Sequence, residues 1–64
     1  MYRVVFYAGL GDPLYWNANE KTFVPGSAAH SVYANMKNAD MDASEAIRNN
    51  KAIANNIYVK RSKS

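Results

Sequence analysis

His30 is the only imidazole in this 64-residue chain, and the hydroxyl of Ser31 follows it directly. A nucleophile needs its base within hydrogen-bond reach. Adjacent residues on a helix do not face each other, so this neighbour pair makes no catalytic couple, and His30 is expected to be exposed and idle. The chain has no cysteine and no second histidine, which removes the ligands of an ordinary transition-metal site. Asp40-Met41-Asp42-Ala43-Ser44 imitates the start of a calcium loop. Position six of such a loop needs glycine and position twelve a bidentate glutamate, whereas Glu45 and Lys51 stand there. Gly9-Leu10-Gly11 lacks the third glycine and the following helix of a dinucleotide loop. A carboxylate pair must converge on one cleft. Here Asp12 and Glu20 fall in turns, and Asp40, Asp42 and Glu45 cluster at one helix start. No catalytic residue, metal or cofactor is expected.

What remains is binding, and the elements decide which side chains can share a surface. Tyr2 to Ala8 is rich in aromatic and β-branched residues and reads as a strand. The Gly9–Pro13 run should end it. Leu14-Tyr15-Trp16 reads as a second strand, and Thr22-Phe23-Val24, after a tight turn at residues 17–20, as a short third one. Ser27 is placed to cap a helix whose stripe is Ala29, Val32, Tyr33 and Met36, with Asn38 and Asp40 interrupting it. A second helix is expected from Asp42, carrying Ala43, Ala46, Ile47, Asn50, Ile53 and Ala54 on one side, with a stop at Asn49 or, preferably, near Ala54. Ile57 to Lys60 is the last strand. The resulting fold class is α+β: one domain over residues 1–60, with a three- to four-stranded, mainly antiparallel sheet and two helices on one face. Residues 61–64 read as a disordered basic tail.

That build leaves the other sheet face without a cover. With Tyr2, Val4, Phe6, Trp16, Phe23, Ile57 and Val59 turned to the helices, the opposite side presents Arg3, Val5, Tyr7, Tyr15, Tyr58 and Lys60; the reverse assignment of faces is the alternative, and the pattern leaves the face of Trp16 open. Four or five apolar or aromatic groups there would form a patch of several hundred Å², the size that marks interaction sites. Tyrosine suits such a surface because it joins contact area to a polar tip.

Composition narrows the partner. Of 31 hydrophobic residues ten are alanine, so the core is thin and burial against a second copy or another protein would help. The formal charge is +3, but residues 1–59 hold as many acids as bases, and the excess lies in Lys60, Arg61 and Lys63. Three phosphate contacts give a log–log salt slope of only about −2.7 on duplex DNA. The apolar run from Val4 to Gly9 is far too short for a membrane span and has no signal-peptide leader, so a cytoplasmic location is expected.

The opening Tyr2-Arg3-Val4-Val5, the Leu14-Tyr15-Trp16 strand, Phe23, the Ala29 and Tyr33 segment and the closing Ile57-Tyr58-Val59 with its lysines resemble small uncharacterised proteins of bacteriophages, of the marine cyanophage type. The resemblance is one of pattern over most of the chain and brings no diagnostic motif. It implies an accessory protein that binds something of host or phage.

The open face admits three readings. It packs on a second copy or a protein partner, through Val5, Tyr7, Tyr15 and Tyr58 with Arg3 and Lys60 at the rim. Alternatively Tyr7, Tyr15 and Tyr58 stack on unpaired bases while Lys60, Arg61 and Lys63 hold phosphates. In the third reading the Gly9–Pro13 loop covers part of the patch, which then has no role.

Overall fold

Four segments rich in β-branched and aromatic residues form strands: β1 at Tyr2–Phe6, β2 at Leu14–Asn17, β3 at Thr22–Pro25 and β4 at Ile57–Arg61. The computed structural model of the chain describes residues 1–9 and 11–62. The strands make one sheet in the order β3-β2-β1-β4, with every neighbouring pair antiparallel. An α-helix, α1 at Met36–Asn49, and a 3₁₀ segment at Lys51–Asn56 connect β3 to β4. The expected α+β class with a four-stranded antiparallel sheet is therefore present.

The helix-side face also matches the expected assignment. Val4, Trp16, Ala43, Ala46 and Ile57 form the buried cluster, and Phe6, Phe23, Ile53 and Val59 pack against it. Trp16 is fully buried and meets Phe23 edge-on at 5.0 Å. Its indole Nε1 has no hydrogen-bond partner among the described residues, so the core tolerates one unsatisfied donor to fill its centre. Ala39, Ala43 and Ala46 are the buried face of α1. Such small side chains let the helix lie close to the sheet.

The helical boundaries differ from those expected. No helix runs from Ser27, and α1 begins at Met36, continuing through Asn38 and Asp40. Asn35 caps it: its side chain accepts a hydrogen bond from the Asn38 backbone N–H at 2.9 Å. The helix stops at Asn49, because Asn50 leaves helical geometry and its side-chain amide donates to the Ala46 carbonyl at 2.9 Å. Ile53 still reaches the core, but from the 3₁₀ segment. Arg61, expected in the tail, pairs with Tyr2 as the last residue of β4, and the Ser62 N–H donates to the Met1 carbonyl at 2.9 Å.

Residues 26–35 are irregular for a tertiary reason. β1 and β2 pair only at Val5↔Tyr15 and Phe6↔Leu14, then diverge. The chain passes through that gap. Tyr33 exchanges both backbone hydrogen bonds with Tyr2 at 2.8 Å, and the Ser31 N–H donates to the Trp16 carbonyl at 2.9 Å. Each bond contributes ~1 kcal/mol net and satisfies strand groups that would otherwise lack partners. A helix over 27–36 would fall short of the ~12–15 residues that even helix-prone isolated segments need. The extended path wins.

Two side-chain contacts tie the layers together. Lys21, in the left-handed region at φ 57°, ends the β2–β3 turn and bonds both Glu45 carboxylate oxygens at 3.0 Å. Nearly one turn earlier on the same helix, Asp42 Oδ2 accepts a hydrogen bond from the Tyr33 hydroxyl at 2.5 Å. Burial, then this bond to the Asp42 carboxylate, push the phenol above its usual value of 10.0. The neutral phenol is thus favoured in the folded state. Its contribution is complete below about pH 10 and lost as the pH rises through the raised value. Tyr33→Phe should lower stability by ~1 kcal/mol at neutral pH. In urea titrations at pH 7 and pH 11, the variant should also lose less stability between the two than the parent.

Candidate functional site

The face away from α1 is organised by strand register. Arg3 lies opposite Lys60, and Val5 lies between Tyr15 on β2 and Tyr58 on β4. Tyr7 comes just beyond β1, its ring 5.9 Å from that of Tyr58. The face is therefore polarised, with bases at one end and tyrosines at the other. All six residues expected on this face are brought together there.

Their exposure is uneven. Tyr7 and Tyr58 are 39% and 51% exposed, as a contact surface requires. Val5, expected as a contact group, has no exposed surface although no helix lies over it. Its cross-strand neighbours are Tyr15 and Tyr58, and with no exposed surface it belongs to the interior. Tyr15 is half-buried, again by side chains of its own chain. Its ring stacks on His30 at 4.5 Å with 26° between the planes. A Cβ on Gly26 would come within 2.9 Å of the same ring. The Gly26–His30 segment thus covers part of this face; Leu10 of the Gly9–Pro13 loop lies outside the described residues. Gly9 and Gly11 take positive φ values and are exposed, as turn residues would be.

His30 is not idle. Its Nε2 accepts a hydrogen bond from Arg3 Nε at 3.2 Å, and its Nδ1 lies 2.9 Å from the Ala28 carbonyl, to which it donates. These two bonds specify the neutral imidazole with the proton on Nδ1. Arg3 Nη1 also donates to the Ser62 hydroxyl. Ser31 works structurally: its hydroxyl accepts from the Ala18 N–H at 2.9 Å. At the tyrosine end, Asn56 holds Tyr7 with a side-chain bond to its carbonyl at 2.8 Å and a backbone bond from its N–H at 3.0 Å.

Of the residues considered for nucleic acid, Lys60 shares the face with the tyrosines. Arg61, one position further along β4, points to the opposite side by strand alternation. Lys63 lies outside the described residues. His30, Ser62 and Asn56 carried no signal in the sequence, since each acts only through a contact across the fold. Among the described residues, no three His, Asp or Glu side chains gather closely enough to hold a metal ion. No helix among them is long and apolar enough to cross a membrane.

Two hollows flank Tyr15 and Gly26. One, of about 390 Å³, is bordered by Pro13, Leu14 and Pro25; the other, of about 220 Å³, by Arg3, His30, Lys60 and Ser62. No family model, curated protein or solved structure matches the chain.

Gly26→Ala should push the Tyr15 ring off its stack with His30, since a Cβ cannot stand 2.9 Å from a ring carbon. The expected result is a changed near-ultraviolet tyrosine signal, with the far-ultraviolet helix signal intact.

Proposed function

We propose that the chain is a small non-catalytic interaction module that docks a protein partner, in the simplest case a second copy, through the tyrosine end of its helix-free face. The observation that carries this reading is the adjacent, exposed Tyr7–Tyr58 pair, anchored on one side by Asn56 and lying beside the edge strand β4. Tyrosine offers large contact area with little conformational freedom to lose. A standard interface takes ~800 Å² from each partner. That is roughly a fifth of this chain's 4416 Å², so contact must extend beyond the two rings onto β4. A two-fold axis near the tyrosines would keep the two basic ends apart. Full overlap of the faces would oppose Arg3 and Lys60 of both copies, an arrangement that like charges disfavour. The resemblance to small phage proteins supports an accessory role of this kind in a host cytoplasm.

A second reading, a weak binder of single-stranded nucleic acid, is supported by charge placement. Arg3 and Lys60 are the ionised side chains among this face's strand positions, while Asp40, Asp42 and Glu45 lie on α1 in the other layer, beside Lys37 and Arg48. Bases would stack on Tyr7 and Tyr58, each stack worth ~1–3 kcal/mol.

Sedimentation at several concentrations tests the first reading. The parent should self-associate. Replacing both tyrosines with serine should weaken association by at least about tenfold while the helix signal in circular dichroism persists. A strict monomer at the highest concentration counts against self-association. Titration with labelled single-stranded DNA at two salt levels tests the second reading. With two cations engaged, the log–log salt slope should be about −1.4.

A further inference from the structure

Arg3 poses an electrostatic problem that the interaction reading does not use. Its side chain is partly buried, and two of its N–H groups go to neutral acceptors, His30 Nε2 and the Ser62 hydroxyl. Neither compensates the charge. Lys60 stands opposite it in the register and adds a second positive charge. Among the described residues the one ion pair is Lys21–Glu45, which lies elsewhere. Two cations thus share one cleft, and among the described residues no carboxylate is bonded to either. A partly desolvated charge without a counterion is unfavourable unless something anionic joins it.

We propose that the cleft of Arg3, Lys60 and Ser62 is an oxyanion site that binds a phosphoryl group. Arg3 retains three N–H donors after its two internal bonds, and a guanidinium fork suits two oxygens of one phosphate. Lys60 supplies a mobile ammonium, and the Ser62 hydroxyl, which accepts from Arg3 and donates to the Met1 carbonyl at 3.5 Å, forms part of the cleft wall. His30 is a positioning residue. Both its ring nitrogens are engaged, and its bond to Arg3 Nε turns the rest of the guanidinium toward the opening. The Tyr15 stack holds His30 in turn.

Size limits the occupant. At about 220 Å³ the cleft is smaller than the ~300 Å³ at which small-molecule pockets begin, so it accepts a head group and not a whole ligand. The rest of such a ligand would lie over Tyr15 or run toward Tyr58. The phosphoryl group can come from a free phosphate monoester or from a nucleic-acid backbone, since both present at least the two unesterified oxygens that the Arg3 fork takes.

The test is an NMR titration of the ¹⁵N-labelled chain with inorganic phosphate, against sodium chloride at matched ionic strength. Saturable shifts at Arg3, His30, Lys60 and Ser62 are expected with phosphate alone. Lys60→Ala, at an exposed position, should weaken phosphate binding several-fold. Arg3→Lys, which keeps the charge but loses the fork, should weaken it about tenfold, provided the variant folds. Arg61→Ala, on the other side of the same strand, should leave it unchanged. No saturable shift in the parent overturns the proposal. So does an equal loss in Lys60→Ala and Arg61→Ala, which would mean diffuse attraction by net charge. A further arm with a short oligothymidylate separates the sources. Shifts extending from the cleft to Tyr7 and Tyr58 assign the phosphate to a nucleic-acid strand; shifts confined to the cleft assign it to a free phosphate or monoester. Because none of these readouts depends on self-association, the cleft and the interaction reading stand or fall separately.

Discussion

The widening gap between β1 and β2 organises this molecule. Strands that diverge expose backbone N–H and C=O groups, and Tyr2 and Trp16 would be left short of partners in the middle of the sheet. Residues 31–33 fill the gap with backbone bonds of their own. Because the chain must thread between two strands to do so, the segment entering the gap lies on one face and the segment leaving it lies on the other. Gly26–His30 therefore rests on Tyr15, and Met36–Asn49 packs on Trp16 and Val4. Both the helix layer and the shape of the opposite face result from that passage.

The two faces are closed by different means. On the helix side, alanines on α1 allow close approach to a sheet surface whose largest buried side chain is Trp16. On the other side Val5, with Tyr15 and Tyr58 as its cross-strand neighbours, is fully buried without a helix. Among the described residues, only three side chains larger than alanine are fully buried, two valines and the tryptophan. A chain with so little interior depends on backbone pairing and on the few polar ties, Tyr33 to Asp42 and Lys21 to Glu45, to hold its layers in place.

Charge is distributed unevenly between the two sides. The helix carries Asp40, Asp42 and Glu45 together with Lys37 and Arg48, while the strand positions of the bare face carry Arg3 and Lys60, with His30 between sheet and connector. The face itself is divided lengthwise into a basic end and a tyrosine end. A near-neutral body can thus present a locally cationic, aromatic surface, which net charge alone conceals. Neutral His30 orients Arg3 at the end where the cleft opens, and Asn56 fixes Tyr7 at the other.

Strand positions and faces were legible in the residues themselves. Alternation in Tyr2–Phe6 and Ile57–Lys60 is a local property with a period of two, and it placed Val4 and Ile57 inward and Tyr58 outward as observed, whereas the face of Trp16 was left open by the sequence and decided by packing. The turn glycines were legible for the same local reason. The path of residues 27–35 was not. Their 3.6-residue periodicity is compatible with a helix, but the partners that select the extended form, Tyr2 and Trp16, are distant in sequence. The sealing of Val5, the engagement of His30 and the cleft at Arg3 likewise arise from contacts across the fold. Local pattern determined which residues alternate. Only the tertiary structure decided which of the outward ones stay exposed, because exposure depends on where the connecting chain crosses.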